Sequence, residues 1–252
     1  MAHILITNDD GIHAEGLRML VSAMEGLGTI SLVAPSHERS AAAQSLTLRQ
    51  PIFWEQIAER EWAVEGTPAD SVILALNGLL PERPDLVISG INRGGNLGEN
   101  VFYSGTVGAA MEAAINRIPG IAMSVAHKGT GFRYEHAAKF ARELAQLVLA
   151  EGLPPGVLLN VNVPLIWNGG VRCTRQSQKV TRNVLQEGTD PRGRSFFWLL
   201  EQEHIQGLDP ESDYAAIFDG AISMTPLQLD RTHEISLNHL SHWAPKLESK
   251  GN

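Results

Sequence analysis

The chain has 252 residues, 43% of them hydrophobic, and a formal net charge of −8 with a sequence pI near 5.6. That length suffices for one large α/β core with an extension, and the acidic balance removes the counterion-release term that drives binding to long nucleic acids. One cysteine, Cys173, excludes an intrachain disulfide and a thiolate metal cluster; with no leader-like start and no run near the ~18 apolar residues of a membrane span, the sequence predicts a cytoplasmic protein with no membrane partner.

The first apolar run, His3-Ile4-Leu5-Ile6-Thr7, reads as a buried parallel strand that closes on Asn8-Asp9-Asp10-Gly11. Residues 15–27 repeat apolar side chains at helical spacing (Leu17, Leu20, Val21, Met24), and residues 30–34 form a second strand. Residues 35–44 are polar and small, 45–54 alternate like an exposed strand, and 62–64 offer another. Thr67 is placed to cap a helix with Pro68 in its first turn and residues 69–80 as its body. Residues 84–89 are the next buried strand, and it runs into a loop, 90–98, holding Gly90, Gly94, Gly95 and Gly98. A helix at 106–116, a strand at 121–125, a long amphipathic helix at 135–151 and a strand at 157–163 complete the alternation. This order predicts an α/β protein, a three-layer Rossmann-like fold around a mostly parallel sheet with a C-terminal β-rich arm.

From about residue 166 the pattern changes, so residues 1–165 are expected as the Rossmann-like core and 166–252 as a β-rich extension. Residues 171–195 hold six basic side chains (Arg172, Arg175, Lys179, Arg182, Arg192, Arg194) against two acids, whereas 201–219 hold six acids and no Lys or Arg. The two stretches are expected to face each other. Residues 221–227 read as a late strand.

Adjacent carboxylates at the exit of a buried strand repel unless a divalent cation neutralises them, and hard oxygen donors select Mg²⁺, Mn²⁺ or Ca²⁺. Ligands of open α/β sheets collect outside the carboxyl ends of the strands. Loops leaving neighbouring strands there offer Ser36 or Ser40, and Ser89 or Asn92. Asp9, Asp10, one serine and Asn92 would make an oxygen site with two negative charges. A second constellation is Asn96 with Ser104-Gly105-Thr106-Val107-Gly108, a glycine-rich approach to a helix N-terminus whose N–H groups and hydroxyls suit phosphate. Arg39 and Arg93 flank the metal loops, and His13, His37 and His127 stand near loop edges as candidate acids. A phosphate-accepting signalling domain also carries an acidic pair after its first strand, but here Ser89 and Asn92 stand where it needs an aspartate, and Lys128 is its only echo.

The stretches Ile4-Leu5-Ile6-Thr7-Asn8-Asp9-Asp10-Gly11, Val33-Ala34-Pro35 with Arg39-Ser40, Gly66-Thr67-Pro68-Ala69-Asp70, Ser89-Gly90-Ile91-Asn92-Arg93-Gly94 and Tyr103-Ser104-Gly105-Thr106-Val107 resemble, in order, the motifs of the SurE family of stationary-phase survival proteins. The likeness continues through Leu159-Asn160-Val161-Asn162-Val163-Pro164 and Ser223-Met224-Thr225-Pro226-Leu227, over nearly the whole chain. The resemblance implies a metal-dependent phosphomonoesterase, a 5′-nucleotidase that hydrolyses nucleoside 5′- and 3′-monophosphates to nucleoside and phosphate and, in some members, cuts short polyphosphate. It implies Asp9, Asp10, Ser40 and Asn92 as ligands of a divalent metal cation, Mg²⁺ or Mn²⁺, choosing Ser40 over Ser36. Asn96, Ser104, Gly105 and Thr106 would bind the phosphate, with Asp9, Asp10, Asn96 and Ser104 as the catalytic set. It further implies a homodimer or homotetramer with exchanged C-terminal arms. This sequence departs from the family pattern at Gly95, where a proline is common, and at Gln228, where a histidine is frequent; His233 is the nearest substitute. The alternative is a non-catalytic nucleotide-binding regulatory module that senses its ligand through the β arm.

Overall fold

The computed structural model describes residues 1–127, 131–178, 181–203 and 207–248. Lys128 and Lys179 lie outside the described residues. Nine strands form one sheet: β1 Ala2–Thr7, β2 Gly28–Pro35, β3 Trp54–Ala58, β4 Glu61–Val64, β5 Leu86–Arg93, β6 Gly120–Ala126, β7 Val157–Pro164, β8 Val171–Cys173 and, later in the chain, β11 Ile222–Gln228, in the order β3-β4-β2-β1-β5-β6-β7-β11-β8. All neighbours are parallel except β3 with β4 and β7 with β11. Strands β9 Thr181–Thr189 and β10 Ser195–Glu203 form a separate antiparallel hairpin.

The central strands are buried on both faces, and apolar side chains dominate them, with polar exceptions such as Thr7, Ser89, Asn160 and Asn162. In β1, Ile4 and Ile6 enter the cluster containing Leu17, Leu20 and Ala141, whereas Leu5 enters the opposite one with Val72 and Ala109. Helices α1 Glu15–Met24 and α4 Glu135–Glu151 cover the first face; α2 Pro68–Leu74 and α3 Gly105–Ile115 cover the second. This is the three-layer, mostly parallel Rossmann-like arrangement that the alternation predicts. The chain leaves β1 toward β2 on one side and returns at β5 on the other, so the topological switch point lies between β1 and β5. Ligands of such sheets bind in the crevice outside the carboxyl ends of those two strands.

Three local expectations need correction. Residues 45–53 are not a strand. Thr47 donates from its backbone N (3.0 Å) and its hydroxyl (2.6 Å) to Asp70, and Ser45 O accepts from the Thr67 hydroxyl at 2.7 Å. Side chains of the α2 cap thus hold this segment in place of a strand ladder, and Pro51 has no N–H to donate to one. The helix after Thr67 has the expected cap at Thr67, which Asp70 completes as a capping box, but it widens into a π-turn at Ala75–Leu79, where the Asn77 amide donates to Ile73 O at 2.9 Å. Strand β5 does not end at Ser89: it continues to Arg93 past an irregularity between Ser89 and Asn92, which puts Asn92 near the strand end, beside Ser124 of β6.

In the extension, α5 Asp213–Phe218 precedes β11, and α6 Glu234–Leu240 and α7 Ala244–Glu248 follow it. The basic and acidic stretches do meet, through Arg172–Asp219 at 2.8 Å and Arg175–Glu211 at 3.2 Å. Both pairs are exposed, so their contribution to stability is small.

Candidate active site

Strand β1 delivers Asp9 and Asp10 into a cleft of about 1180 Å³ at the switch point. The turn after β1 is fixed by Asn8, whose buried side chain donates to Gly11 O at 2.9 Å and accepts from Gly11 N at 3.2 Å. Asp9 O accepts from Arg39 N at 2.7 Å, tying the turn to the loop after β2. Asp10 Oδ2 accepts from Arg93 N at 3.1 Å, tying it to the end of β5. Three segments distant in sequence therefore share one rim.

Of the residues singled out by sequence, Asp9, Asp10, Ser40, Asn92, Asn96 and Ser104 all line this cleft. Ser40, not Ser36, is the serine that reaches it; its hydroxyl donates to Glu38 at 2.6 Å. Asn92 spends Nδ2 on Gly94 O at 2.8 Å, leaving Oδ1 as its remaining acceptor. Asn96 is held by its backbone N on Asn162 Oδ1 and by Nδ2 on Ser124 Oγ, both at 2.8 Å. Ser104 caps α3 by accepting from Val107 N at 3.1 Å, which leaves its hydroxyl proton as a donor.

Gly105 and Thr106 are placed differently from the cleft-lining residues. They stand behind Asp9, with the Thr106 hydroxyl and the backbone N–H groups of both turned to its carboxylate. A Cβ at Gly105 would stand 2.9 Å from Asp9 Cβ, so only glycine lets the start of α3 approach this closely. Among the described residues there is no group of three or more His, Cys, Asp or Glu placed to hold a metal ion, and the side-chain oxygens beside the acidic pair in the cleft include those of Asn92 and Ser40. Two carboxylates, Asn92 Oδ1 and the Ser40 hydroxyl are hard oxygen donors, and they fit a divalent cation of the Mg²⁺ or Mn²⁺ type.

A family model described as Survival protein SurE matches residues 4–183. The chain belongs to the SurE family. The 5′-nucleotidase SurE of Geobacter metallireducens is 44% identical over 247 residues, covering 95% of this chain and 96% of that protein. Its counterpart in Geobacter sulfurreducens is 45% identical over 244 residues, 96% of this chain and 93% of the relative. The crystal structure of the SurE protein from Aquifex aeolicus superposes with a TM-score of 0.85 at 36% identity, over 98% of this chain and 99% of that one.

The SurE motifs do not account for the whole wall. Glu15, Glu38, Asn100, Phe132 and Tyr134 also line the cleft, with Asn183 and Leu199 from the β9–β10 hairpin. Sequence reasoning assigned none of these to the site. Asn100, four residues beyond Asn96 in the same loop, carried a usable signal; its Oδ1 is buried without a hydrogen-bond partner among the described residues. Phe132 and Tyr134 stack at 6.2 Å between centroids, and the Arg93 guanidinium lies 5.1 Å over Phe132. Neither His13, His37 nor His233 lines the cleft. His37 pairs with Ser36 at 3.0 Å, His233 accepts from Ser236 N at the start of α6, and His127 packs its ring edge on Phe132.

Burial pushes the Asp9 carboxyl above the ordinary carboxylate value, and the donors of Gly105 and Thr106 oppose that rise. Burial first, and then the neighbouring Asp9 charge, push Asp10 up to about 6. A carboxyl whose pKa is raised on folding favours the folded state in its protonated form. Its contribution is fully present below the unfolded value near 3.8 and is lost as pH rises through about 6. Metal-free protein is therefore expected to lose stability between these pH values, and Asp10→Asn should raise its melting temperature at pH 7.5 by about 2–6 °C. Thermal scans of metal-free wild type and variant check this; a variant that melts lower at pH 7.5 contradicts it.

Proposed function

We propose that the chain is a divalent-metal-dependent 5′-nucleotidase that hydrolyses nucleoside 5′- and 3′-monophosphates to nucleoside and phosphate, and cuts short polyphosphate as a side activity. The observation that carries this reading is the convergence of Asp9, Asp10, Asn92, Asn96 and Ser104 in one cleft at the β1–β5 switch point. It occurs in a member of a family whose curated relatives are named 5′-nucleotidase.

In this reading Asp9, Asp10, Ser40 and Asn92 hold Mg²⁺ or Mn²⁺. The bound ion would neutralise charge on a phosphate oxygen and lower the pKa of a water. Asn96 and Ser104 donate to the phosphate oxygens from positions fixed by Asn162, Ser124 and the α3 cap, which is stabilisation set in place before the reaction. Gly105 and Thr106 serve the phosphate by seating Asp9 beneath it. Phosphate release from a panel of nucleoside 5′- and 3′-monophosphates and tripolyphosphate, assayed with Mg²⁺ and with Mn²⁺, tests the substrate class. Turnover of the nucleotides above tripolyphosphate is expected; hydrolysis of polyphosphate alone would overturn it.

No helix among the described residues is long and apolar enough to cross a membrane. With one free cysteine, a reducing cytoplasmic site of action fits the chain. Residues 166–252 act in this account as an oligomerisation arm. Hairpin β9–β10 exposes apolar side chains on both faces, Leu185, Phe197 and Leu199 on one and Trp198 on the other, which a second copy of the chain would cover. Trp198 is 62% exposed within one chain, so Trp198→Glu should leave the fold of each chain intact yet split the assembly. Sedimentation is expected to show a dimer or tetramer for wild type and monomer for the variant; unchanged oligomers in the variant contradict the arm.

A further inference from the structure

We propose that Asp213, in the C-terminal extension, is a positioning residue for the phosphate-facing loop of the site; the inference rests on the nucleotidase reading for its kinetic consequence. Asp213 is fully buried. Its Oδ2 accepts from the backbone N of Gly98 at 2.8 Å, and its Oδ1 accepts from Ser177 N at 3.2 Å and Tyr214 N at 2.8 Å. The other polar group of Gly98, its carbonyl, accepts from Gln176 Nε2 at 2.9 Å. Both backbone groups of one residue are thus taken by side chains from a segment more than seventy positions away.

The residue so held lies midway between Asn96 and Asn100, and it opens the 3₁₀ turn Gly98–Tyr103 that delivers Ser104 to the cap of α3. Gly98 has φ +53, and a Cβ there would meet Ser177 Oγ at 2.8 Å, so the extension packs directly on its backbone. Upstream, the Asn96 carbonyl accepts from Asn160 and Asn162 at 2.8 and 3.0 Å. The loop therefore has two anchors. Strand β7 fixes it at Asn96, and the extension fixes it at Gly98. A hydrogen bond from a backbone N–H to a carboxylate is among the stronger kinds, and in a buried site it has no competing water.

A neutral asparagine at 213 keeps one acceptor and turns an NH₂ toward N–H groups that need an acceptor, so one side of the clamp opens. Misplacing substrate-facing groups by about 1 Å costs on the order of a hundredfold in rate. Loss of folded protein, in contrast, lowers the active concentration and leaves KM and inhibition constants where they were.

The test compares wild type, Asp213→Asn and Gln176→Ala with Arg172→Ala, which breaks an exposed ion pair of the same extension away from the loop. With saturating Mn²⁺, the first two should lose about ten- to a hundredfold in kcat/KM for AMP. The inhibition constant of inorganic phosphate should rise in parallel. Mn²⁺ affinity by calorimetry should stay near wild type, and amides of residues 96–104 should exchange faster. Arg172→Ala should match wild type throughout. Wild-type KM, phosphate inhibition and amide exchange in folded Asp213→Asn and Gln176→Ala would overturn the proposal; if Asp213→Asn does not fold, Gln176→Ala decides alone. Should wild type fail to hydrolyse AMP, the nucleotidase reading falls by itself, and faster exchange at 96–104 in the variants still supports the clamp while unchanged exchange refutes it.

Discussion

Replacing Asp9 with asparagine is expected to cut Mn²⁺-supported AMP hydrolysis by on the order of a thousandfold or more while the protein stays folded. Asp9 is 6% exposed and sits under the start of α3, where the Thr106 hydroxyl and two backbone N–H groups reach its carboxylate. An asparagine keeps an oxygen for those donors and nearly the same volume, so the packing of β1 against α3 survives. What it removes is one of the two charges proposed to hold a divalent cation, and the several kcal/mol of charge stabilisation that such an ion supplies correspond to that rate loss. Burial already disfavours the Asp9 charge, so the metal-free variant should melt at or above the wild-type temperature. Circular dichroism and phosphate-release assays separate the two effects. Retained turnover, or a variant that is inactive only because it unfolds, contradicts the role assigned to Asp9.

Gly16→Ala is expected to lose substantial stability for a conservative change near the site. Gly16 lies in the first turn of α1, and a Cβ there would come 2.1 Å from Ile91 O and 2.9 Å from Tyr134 Cε1. The first contact is with the backbone of β5, one residue before Asn92, and cannot be relieved by a rotamer change. Alanine gains about 1 kcal/mol of helix propensity over glycine, whereas overpacking of this kind costs typically 1–3 kcal/mol and sometimes more. The clash wins. A fall of about 4–10 °C in melting temperature is expected, together with weaker Mn²⁺ binding, because pushing Ile91 away moves Asn92. Gly78 supplies the control: a Cβ there meets nothing within 4 Å, and Gly78→Ala should be neutral or slightly stabilising. Equal melting temperatures for Gly16→Ala and wild type would show that α1 rides farther from β5 than the structure has it.

The central strands were legible because burial on both faces leaves an unbroken apolar run, as in Ile4-Leu5-Ile6, and the acidic pair stood out against that run. The Thr67 cap was legible for a similar reason, since a threonine followed by proline at a helix start is a local pattern; that Asp70 closes it into a box showed only in the fold. Residues 45–53 misled because alternation is blind to a side chain arriving from elsewhere: Asp70 takes the backbone donor of Thr47 that a strand partner would have used. Asn92 was expected on a loop, since nothing local shows that β5 resumes after its irregularity. In the site, Asp9 and Asp10 follow the end of β1 and Ser104 caps α3, places that sequence patterns mark, whereas Asn92 and Asn96 stood out as polar residues of the glycine-rich stretch after the buried part of β5. Glu38, Tyr134 and Asn183 reach the same cleft only through tertiary packing of a loop, a segment before α4 and the hairpin, and no period in the sequence encodes that. Thr106 was picked out correctly as polar at a helix start, yet its hydroxyl is turned to Asp9. Chain order does not reveal which of two nearby acceptors a donor will choose.

Hydrolysis of nucleoside monophosphates in this cleft, by means of a cation held at Asp9 and Asp10, is what every role proposed for the site depends on. The most direct measurement is phosphate release from AMP by chelator-stripped protein before and after Mn²⁺ is restored. No release from the stripped protein and sustained turnover once Mn²⁺ is added back are expected. Hydrolysis that proceeds equally without the ion, or Mn²⁺-loaded protein that binds AMP tightly and releases no phosphate, would contradict these roles.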